Sequence, residues 1–391
     1  MIYPLVTNPF DESDISVIID SFKSGQYTMG PKVRDFEKAF ADKVGSRYAV
    51  MVNSGSSANL IATFAFFYKQ KNSLRRGDEV LVPAIGWATT WSPLQQAGLQ
   101  LKVIDVDPRT LNVDFDSYIT AVTEKTKMIV TVSILGNPVE LDRLRKFCTE
   151  KEIILLEDNC ESIGASVGGK QCGTFGDIGT YSFFYSHHIS TVEGGIAVTD
   201  DEELYHILLS LRAHGWVRDI PNNKFVSEKL ESEIRQQYNF VFPGFNVRPM
   251  EFSGALGLAQ LKKLDNNVKI RRKNASQFQK IMQKHSELFS FQEEVYGESS
   301  WFAFPIVIKN GSAALRDKLF LHLADRGIES RMITGGCLTR HPMKRYFDFV
   351  TYPVPVEAEK IHDGGVFVAN HAVDMTLMFG ALDEALASFK E

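Results

Sequence analysis

The chain has 391 residues, a formal net charge of −5, and 44% hydrophobic and 23% charged residues. That length is enough for a large core, and for two rather than one, since domains usually run to about 100–200 residues. No basic stripe or tail appears and no apolar run nears the roughly 20 residues of a membrane span, which argues against nucleic acid or a membrane as the main partner.

The first residues, Met1-Ile2-Tyr3-Pro4, lack a basic region followed by a long apolar one. No signal peptide is expected, and the cytoplasm is the expected location. Cys148, Cys160, Cys172 and Cys337 are widely spaced and match no metal-ligand pattern. They read as reduced structural thiols, and no metal is expected.

Asp11 to Ser24 sets Ile15, Ile18, Ile19 and Phe22 at helical spacing behind Asp and Ser caps, and Gly25 ends the segment. Val33, Phe36, Ala39 and Phe40 mark a second helix that closes near Gly45. Arg47 to Val52 reads as a buried strand feeding Asn53-Ser54-Gly55-Ser56-Ser57-Ala58-Asn59 and an apolar helix to about Tyr68. A strand, a small-residue turn and a helix start turn free backbone N–H groups toward an anion. The same residues also suit a serine N-cap on an ordinary crossover, so both readings stand at this point.

Further strands are expected at Glu79–Pro83, Leu101–Asp105, Lys127–Ser133 and Glu152–Leu156. Trp87 follows the first of these, and Glu157-Asp158-Asn159-Cys160-Glu161-Ser162 follows the last. An apolar run from Tyr181 to Tyr185 ends in His187-His188, and Glu193-Gly194-Gly195 leads to a short strand, Ile196–Thr199. Two adjacent imidazoles at a strand end suit either a solvated hairpin edge or a reactive site.

A helix after Asp200 ends at Arg212-Ala213-His214-Gly215-Trp216. Residues 217–240 read as a polar loop, Pro243 to Glu251 as a turn, and Ser253 to Leu264 as a small-residue helix. Charge-rich Lys262 to Lys273 opens a long helix and marks a boundary between domains 1–262 and 263–391. Beyond it, Trp301–Ile308, Leu315–Arg326 and Gly327–Met332 fit a smaller α/β domain.

Strands alternating with helices predict an α/β fold with a mainly parallel sheet, whose ligands gather at the carboxyl ends of the strands. Ser54–Ser57, Trp87, Asp158 and the histidine pair all fall there. A phosphate-binding turn, an aromatic face and a carboxylate able to keep a pyridine nitrogen protonated are the parts that hold pyridoxal phosphate.

Gly25-Gln26-Tyr27-Thr28-Met29-Gly30-Pro31-Lys32-Val33, Ser54-Gly55-Ser56-Ser57-Ala58-Asn59, Glu157-Asp158, Ser182-Phe183-Phe184, Gly244-Phe245-Asn246 and Gly327-Ile328-Glu329-Ser330-Arg331 make the chain similar to the DegT/DnrJ sugar-nucleotide aminotransferase family over essentially its whole length. The resemblance implies an aspartate aminotransferase-like (type I PLP) fold, with a large mixed, mainly parallel sheet domain and a smaller C-terminal α/β domain. It also implies a homodimer with shared active sites. One departure is decisive: where the family has Ser-Lys, this chain has Ser186-His187. Ser186-His187-His188-Ile189 with Glu193-Gly194-Gly195 resembles the family's 3-dehydratase branch, which deoxygenates sugar nucleotides in dideoxysugar synthesis. The cysteine-clustered, iron–sulfur CDP-sugar members of that branch do not fit.

The resemblance implies C3 deoxygenation of a GDP-linked 4-keto-6-deoxy sugar, with pyridoxal 5'-phosphate cycling through pyridoxamine 5'-phosphate at the expense of L-glutamate. His187 is the implied base, because imidazole exchanges protons near neutrality but forms no stable imine with an aldehyde. Gly55, Ser56, Ser182 and the partner subunit's Asn246 are implied to hold the phosphate, Trp87 to stack on the ring, Asp158 to pair with its nitrogen, and Glu161 to meet its hydroxyl or imine side. Ser186, His214 and Arg331 are implied substrate contacts. Two alternatives stay open: an aminotransferase in which another lysine, such as Lys170, reaches the aldehyde, and a non-catalytic relative.

Overall fold

The computed structural model describes residues 1–222, 224–225, 232, 234–235 and 238–390. Part of the loop expected over 217–240 therefore lies outside the described residues.

The chain opens with helices α1 (Glu12–Lys23) and α2 (Pro31–Val44). Asp11 caps α1 by accepting from the backbone of Ser13 and Asp14, and Pro31 starts α2 where its missing N–H is harmless. The expected helix of residues 11–24 is present, but its apolar stripe is not buried: Ile15, Ile19 and Phe22 are each about half exposed. Asp14 and Ser21 face inward instead.

The large sheet is then laid down in order: β1 (Tyr48–Val52), α3 (Gly55–Ala65), β2 (Glu79–Pro83), α4 (Ala88–Gln96), β3 (Gln100–Ile104), α5 (Phe115–Ala121), β4 (Thr126–Val132), α6 (Leu141–Glu150) and β5 (Ile154–Asp158). A two-strand hairpin, β6 (Ser166–Val167) and β7 (Lys170–Gln171), precedes β8 (Ile178–Ser182), β9 (Gly195–Thr199) and α7 (Glu202–Arg212). β8 starts and ends three residues before the strand expected over Tyr181–Tyr185. Phe183 is buried beyond it, and Phe184 turns outward.

The chain continues through α8 (Glu251–Leu261), α9 (Leu264–Lys284), β10 (Phe289–Ser290), β11 (Ala303–Ile308), α10 (Ala313–Ala324), β12 (Arg331–Met332), β13 (Phe349–Tyr352), α11 (Val356–Gly364), β14 (Gly365–Ala369) and α12 (Thr376–Ser388). The large sheet has eight strands in the order β1-β9-β8-β5-β4-β2-β3-β13, parallel from β8 to β13 and antiparallel around β9. A second sheet, β10-β11-β14-β12, is antiparallel and packs its own core around Phe278, Phe304 and Leu382. This is the α/β aspartate aminotransferase-like fold expected from the sequence.

The two cores are stitched together by segments that run between them. Tyr3 is buried in the second core and donates its hydroxyl to Ala369 O, while β13, late in the chain, pairs with β3 in the large sheet. Beneath the first active-site turn, Arg212 and Glu37 form a buried pair, and both also bond the backbone of Met51 on β1.

Candidate active site

Strand register brings the functional residues together. Asp158 ends β5 opposite Thr180 of β8, while Ser182 ends β8 opposite Gly195, which also faces Val52 of β1. The turn after β1 therefore sits two strands from Ser182 and three from Asp158 in the sheet order. The carboxyl ends of these strands open into a cavity of about 580 Å³.

One end of the cavity is built for an anion. Ser54 caps α3 by accepting from Ser57 N at 3.1 Å, which leaves the N–H groups of Gly55 and Ser56 without bonds among the described residues. Both residues line the cavity together with the hydroxyl of Ser182. A Cβ on Gly55 would lie 2.6 Å from Ser182 Cβ and 2.9 Å from Cys160 Sγ, so only glycine lets helix and strand end close on the same point. The two readings of this turn prove compatible, with Ser54 as the cap and the next N–H groups as the anion cradle.

Asp158 is buried, and its Oδ2 accepts from Asn59 Nδ2 at 2.8 Å and Thr90 Oγ1 at 2.7 Å. Cys160 N donates to Oδ1 at 3.2 Å. The side chain is fixed from behind and faces the cavity. Trp87 precedes α4 and is 57% exposed, with a flat face free on the cavity wall. Phosphate cradle, aromatic face and oriented carboxylate thus fit pyridoxal phosphate in both spacing and chemistry.

Glu161 accepts at Oε2 from Leu135 N at 2.8 Å, and burial pushes its carboxyl up to about 7. Leu135 reaches it from a backbone at φ 51°, a conformation held by the neighbouring loop: Phe302 N donates to Leu135 O and Ser300 N to Gly136 O.

His187 and His188 both line the cavity. His187 lies edge-on to Phe302 at 5.0 Å and to Phe184 at 5.8 Å, and its Nδ1 has no partner among the described residues. Burial, and then the charge of Arg271, hold it down to about 3, so the ring is neutral and able to accept a proton. His188 is fully enclosed and also held well below its ordinary range. Its Nε2 lies 3.2 Å from Ser300 O, an acceptor, so that nitrogen carries the hydrogen and the ring anchors the turn.

Ser186 and Arg331 line the cavity as well, Arg331 from β12. His214 and Asn246 do not line it in this chain. Asn246 forms an outer β-bridge with Ala213, next to His214; His214 N donates to Phe245 O and Asn246 Oδ1 accepts from Arg248. Among the described residues, the one lysine on the cavity wall is Lys263, held by Asp11 at 2.7 Å and Asp14 at 2.6 Å. Lys170 is exposed on β7 with its Nζ over the Phe175 ring, away from the cavity, so it is not placed to reach a bound aldehyde.

Several wall residues gave no sequence signal. The N-terminal segment Leu5–Pro9 covers one side, and Phe302 just before β11, Asn370 just after β14 and Arg271 on α9 line another. Arg271 was hidden in a charge-rich helix start, where solvent-facing charges are the ordinary case.

Fold and cavity together describe a cofactor-dependent enzyme of the aspartate aminotransferase type, and the chain belongs to the DegT/DnrJ/EryC1/StrS aminotransferase family, whose model matches residues 9–372. It is 46% identical over 376 residues to GDP-4-keto-6-deoxy-D-mannose 3-dehydratase of Yersinia pseudotuberculosis, covering 96% of this chain and 95% of that protein. Two solved structures of GDP-4-keto-6-deoxymannose-3-dehydratase superpose with a TM-score of 0.94 at 46% identity, each covering 98% of this chain and 100% of the other. One is a mutant with bound GDP-perosamine and the other holds a trapped PLP-glutamate geminal diamine.

Proposed function

We propose that this chain is a pyridoxal phosphate-dependent sugar-nucleotide 3-dehydratase, a lyase that removes the C3 hydroxyl of a GDP-linked 4-keto-6-deoxy sugar. L-glutamate supplies the amino group and leaves as 2-oxoglutarate; the C3 hydroxyl leaves as water, and ammonia is released at the end. The carrying observation is that His187 stands next to Ser186 where the family has its lysine, while Lys263, the cavity lysine, is held in ion pairs with two aspartates.

When bound, pyridoxal phosphate supplies an electron sink and, in its amine form, the nitrogen that joins the sugar ketone. The chain's own residues bind and steer it. Gly55 and Ser56 N–H groups with the Ser56 and Ser182 hydroxyls would take the phosphate. Asp158 would hold the ring nitrogen protonated, and Trp87 would cover the ring face. His187 then takes and returns the proton that each half-reaction moves, without tying the cofactor to the chain. Glu161, pushed up to about 7, holds a proton for part of the physiological range and would bond a ring or imine heteroatom. Ser186 and Arg331 are placed to meet the sugar nucleotide.

We propose a homodimer in which Asn246, and His214 beside it, complete the partner's site. The exposed apolar face of α1, with Ile15, Ile19 and Phe22, supports this, as do the exposure of Asn246 and its position off its own cavity. The chain is proposed to divide at 262/263, with Tyr3 and β13 crossing between the two parts. A cytoplasmic location is proposed from the intracellular nature of nucleotide-sugar chemistry; among the described residues, no helix is long and apolar enough to cross a membrane.

The test incubates the protein with pyridoxal phosphate, L-glutamate and GDP-4-keto-6-deoxymannose and follows products by mass spectrometry. The expected products are a 3-deoxygenated sugar nucleotide with 2-oxoglutarate and ammonia in equal amounts. A sugar product that retains an amino group would refute the dehydratase reading.

A further inference from the structure

Asn59 is a polar side chain on the cavity wall to which the mechanism above gives no task. It lies on α3 four residues after Gly55, so it shares a helix face with the anion cradle, one turn further on. The helix there runs Ala58-Asn59-Leu60-Ile61-Ala62, and Asn59 is only 3% exposed. An amide buried on such a helix is costly unless its donors and its acceptor are engaged.

Both ends of the amide are engaged. Nδ2 donates to Asp158 Oδ2 at 2.8 Å and to Thr89 O at 3.3 Å, and Oδ1 accepts from Thr180 Oγ1 at 2.5 Å. The Thr89 carbonyl can only accept, so the NH2 end faces it and Asp158 together, and the Thr180 hydroxyl has to donate to the carbonyl end. Thr180 is fully buried on β8, opposite Asp158 in the strand register. The other acceptor in its reach, Glu157 O, is further away at 3.3 Å.

Asp158 therefore meets donors alone. Its Oδ2 receives Asn59 and, at 2.7 Å, Thr90 Oγ1; its Oδ1 receives Cys160 N at 3.2 Å. A proton on Oδ2 would displace one of two donors and find no acceptor among the described residues.

We propose that Asn59, held in one orientation by Thr180, is a positioning residue that keeps the shared proton on the cofactor's ring nitrogen rather than on Asp158. Each donor to a carboxylate favours its charged form. Without Asn59, Asp158 becomes the stronger base of the pair and is freer to turn. The proton then moves from the ring nitrogen toward the carboxylate, and the ring is a poorer electron sink. The inference rests on pyridoxal phosphate binding with its nitrogen at Asp158, as proposed above.

The test loads the protein with pyridoxamine phosphate isotope-labelled at the ring nitrogen, reads that nitrogen by NMR in mildly alkaline buffer, and measures kcat and KM for the sugar nucleotide. Wild type should show a protonated ring nitrogen. Asn59→Ala should move the signal toward that of unprotonated pyridine. It should also lower kcat by about 10-fold or more, the loss that goes with one hydrogen bond to a charged group, and leave KM within about two-fold. Thr180→Val removes only the hydroxyl and lets the amide flip, so it should move the signal the same way; Thr180→Ser should hold it at the wild-type position. A residue that merely tied α3 to the sheet would lower the melting temperature without moving the nitrogen signal. An unmoved signal in loaded Asn59→Ala therefore overturns the assignment. If Asn59→Ala does not fold, the Thr180 pair decides: an unmoved signal in Thr180→Val, or an equal shift in Thr180→Ser, overturns it. Asp158→Asn separates the two readings. If it too leaves the nitrogen protonated, Asp158 is not the ring's partner and this assignment falls with it; if it moves the signal and Asn59→Ala does not, only the role of Asn59 is lost.

Discussion

At the residue scale the chemistry depends on one substitution of function, an imidazole in place of an amine. A lysine at this position would hold the cofactor covalently; His187, neutral and without a partner at Nδ1 among the described residues, can only move protons. His187→Asn should retain the fold and cofactor binding while lowering turnover by about 10²–10⁴-fold, the span expected for a general base. Steady-state turnover read beside a cofactor absorbance titration checks it, and unchanged turnover would remove His187 from the mechanism. His187→Lys should give a borohydride-reducible link between chain and cofactor that the wild type lacks, detected by intact mass. His187, Asp158 and Gly55 were legible in the sequence because each ends a strand or starts a helix with a residue type that is hard to explain there otherwise. Arg271 was not, since a charge on a helix reveals nothing of its burial until a second sheet packs over it.

At the element scale, a turn after β4 of the large sheet fixes the site. Ile134–Gly136 gives its Leu135 N–H to Glu161 and takes backbone bonds from Ser300 and Phe302. Gly136 has φ 90°, and a Cβ there would lie 2.7 Å from Ser300 Oγ and 2.8 Å from Trp301 N. Gly136→Ala should therefore destabilise the protein by about 1–3 kcal/mol through strain and crowding. It should also impair turnover beyond that loss, because Ser300 O anchors His188 and Phe302 O anchors Arg271. Urea denaturation and kcat measured on the same preparation separate the two effects. Full activity in the variant would show that the turn only connects strands.

At the scale of the whole molecule, two expectations follow. If Asn246 serves the partner's site, inactive His187→Asn and Asn246→Asp chains refolded together should form heterodimers with one intact site each. About a quarter of wild-type activity should return from an equal mixture under random two-fold pairing. No recovery would place Asn246 in its own chain's site, and an Asn246→Asp chain active by itself would place it outside the chemistry.

The second expectation concerns acid. His187 and His188 are held below their unfolded value near 6.5, His187 to about 3, so between these values the unfolded chain binds more protons and stability falls as pH falls. Glu161, raised to about 7, acts in the opposite sense: it favours the folded state as pH drops from about 7 toward its unfolded value near 4.5. His188→Gln should therefore lose less stability than wild type between pH 7.5 and 5, read from urea midpoints. An identical loss would mean that His188 titrates alike in the folded and unfolded chains.

The sequence by itself determined the α/β alternation, the strand ends that carry the site and the residue types found there. These follow from local periodicity and from chemistry too specific to be filler. It also placed the missing lysine, because a resemblance across the whole chain makes one departure visible. Only the tertiary structure decided that β8 stops at Ser182 and that the apolar stripe of α1 faces outward. The N-terminal segment and Arg271 likewise proved to be walls of the cavity only in the folded chain. The reason is physical: hydrogen-bonding period is written along the chain, but burial and neighbouring charge exist only after distant segments have packed together.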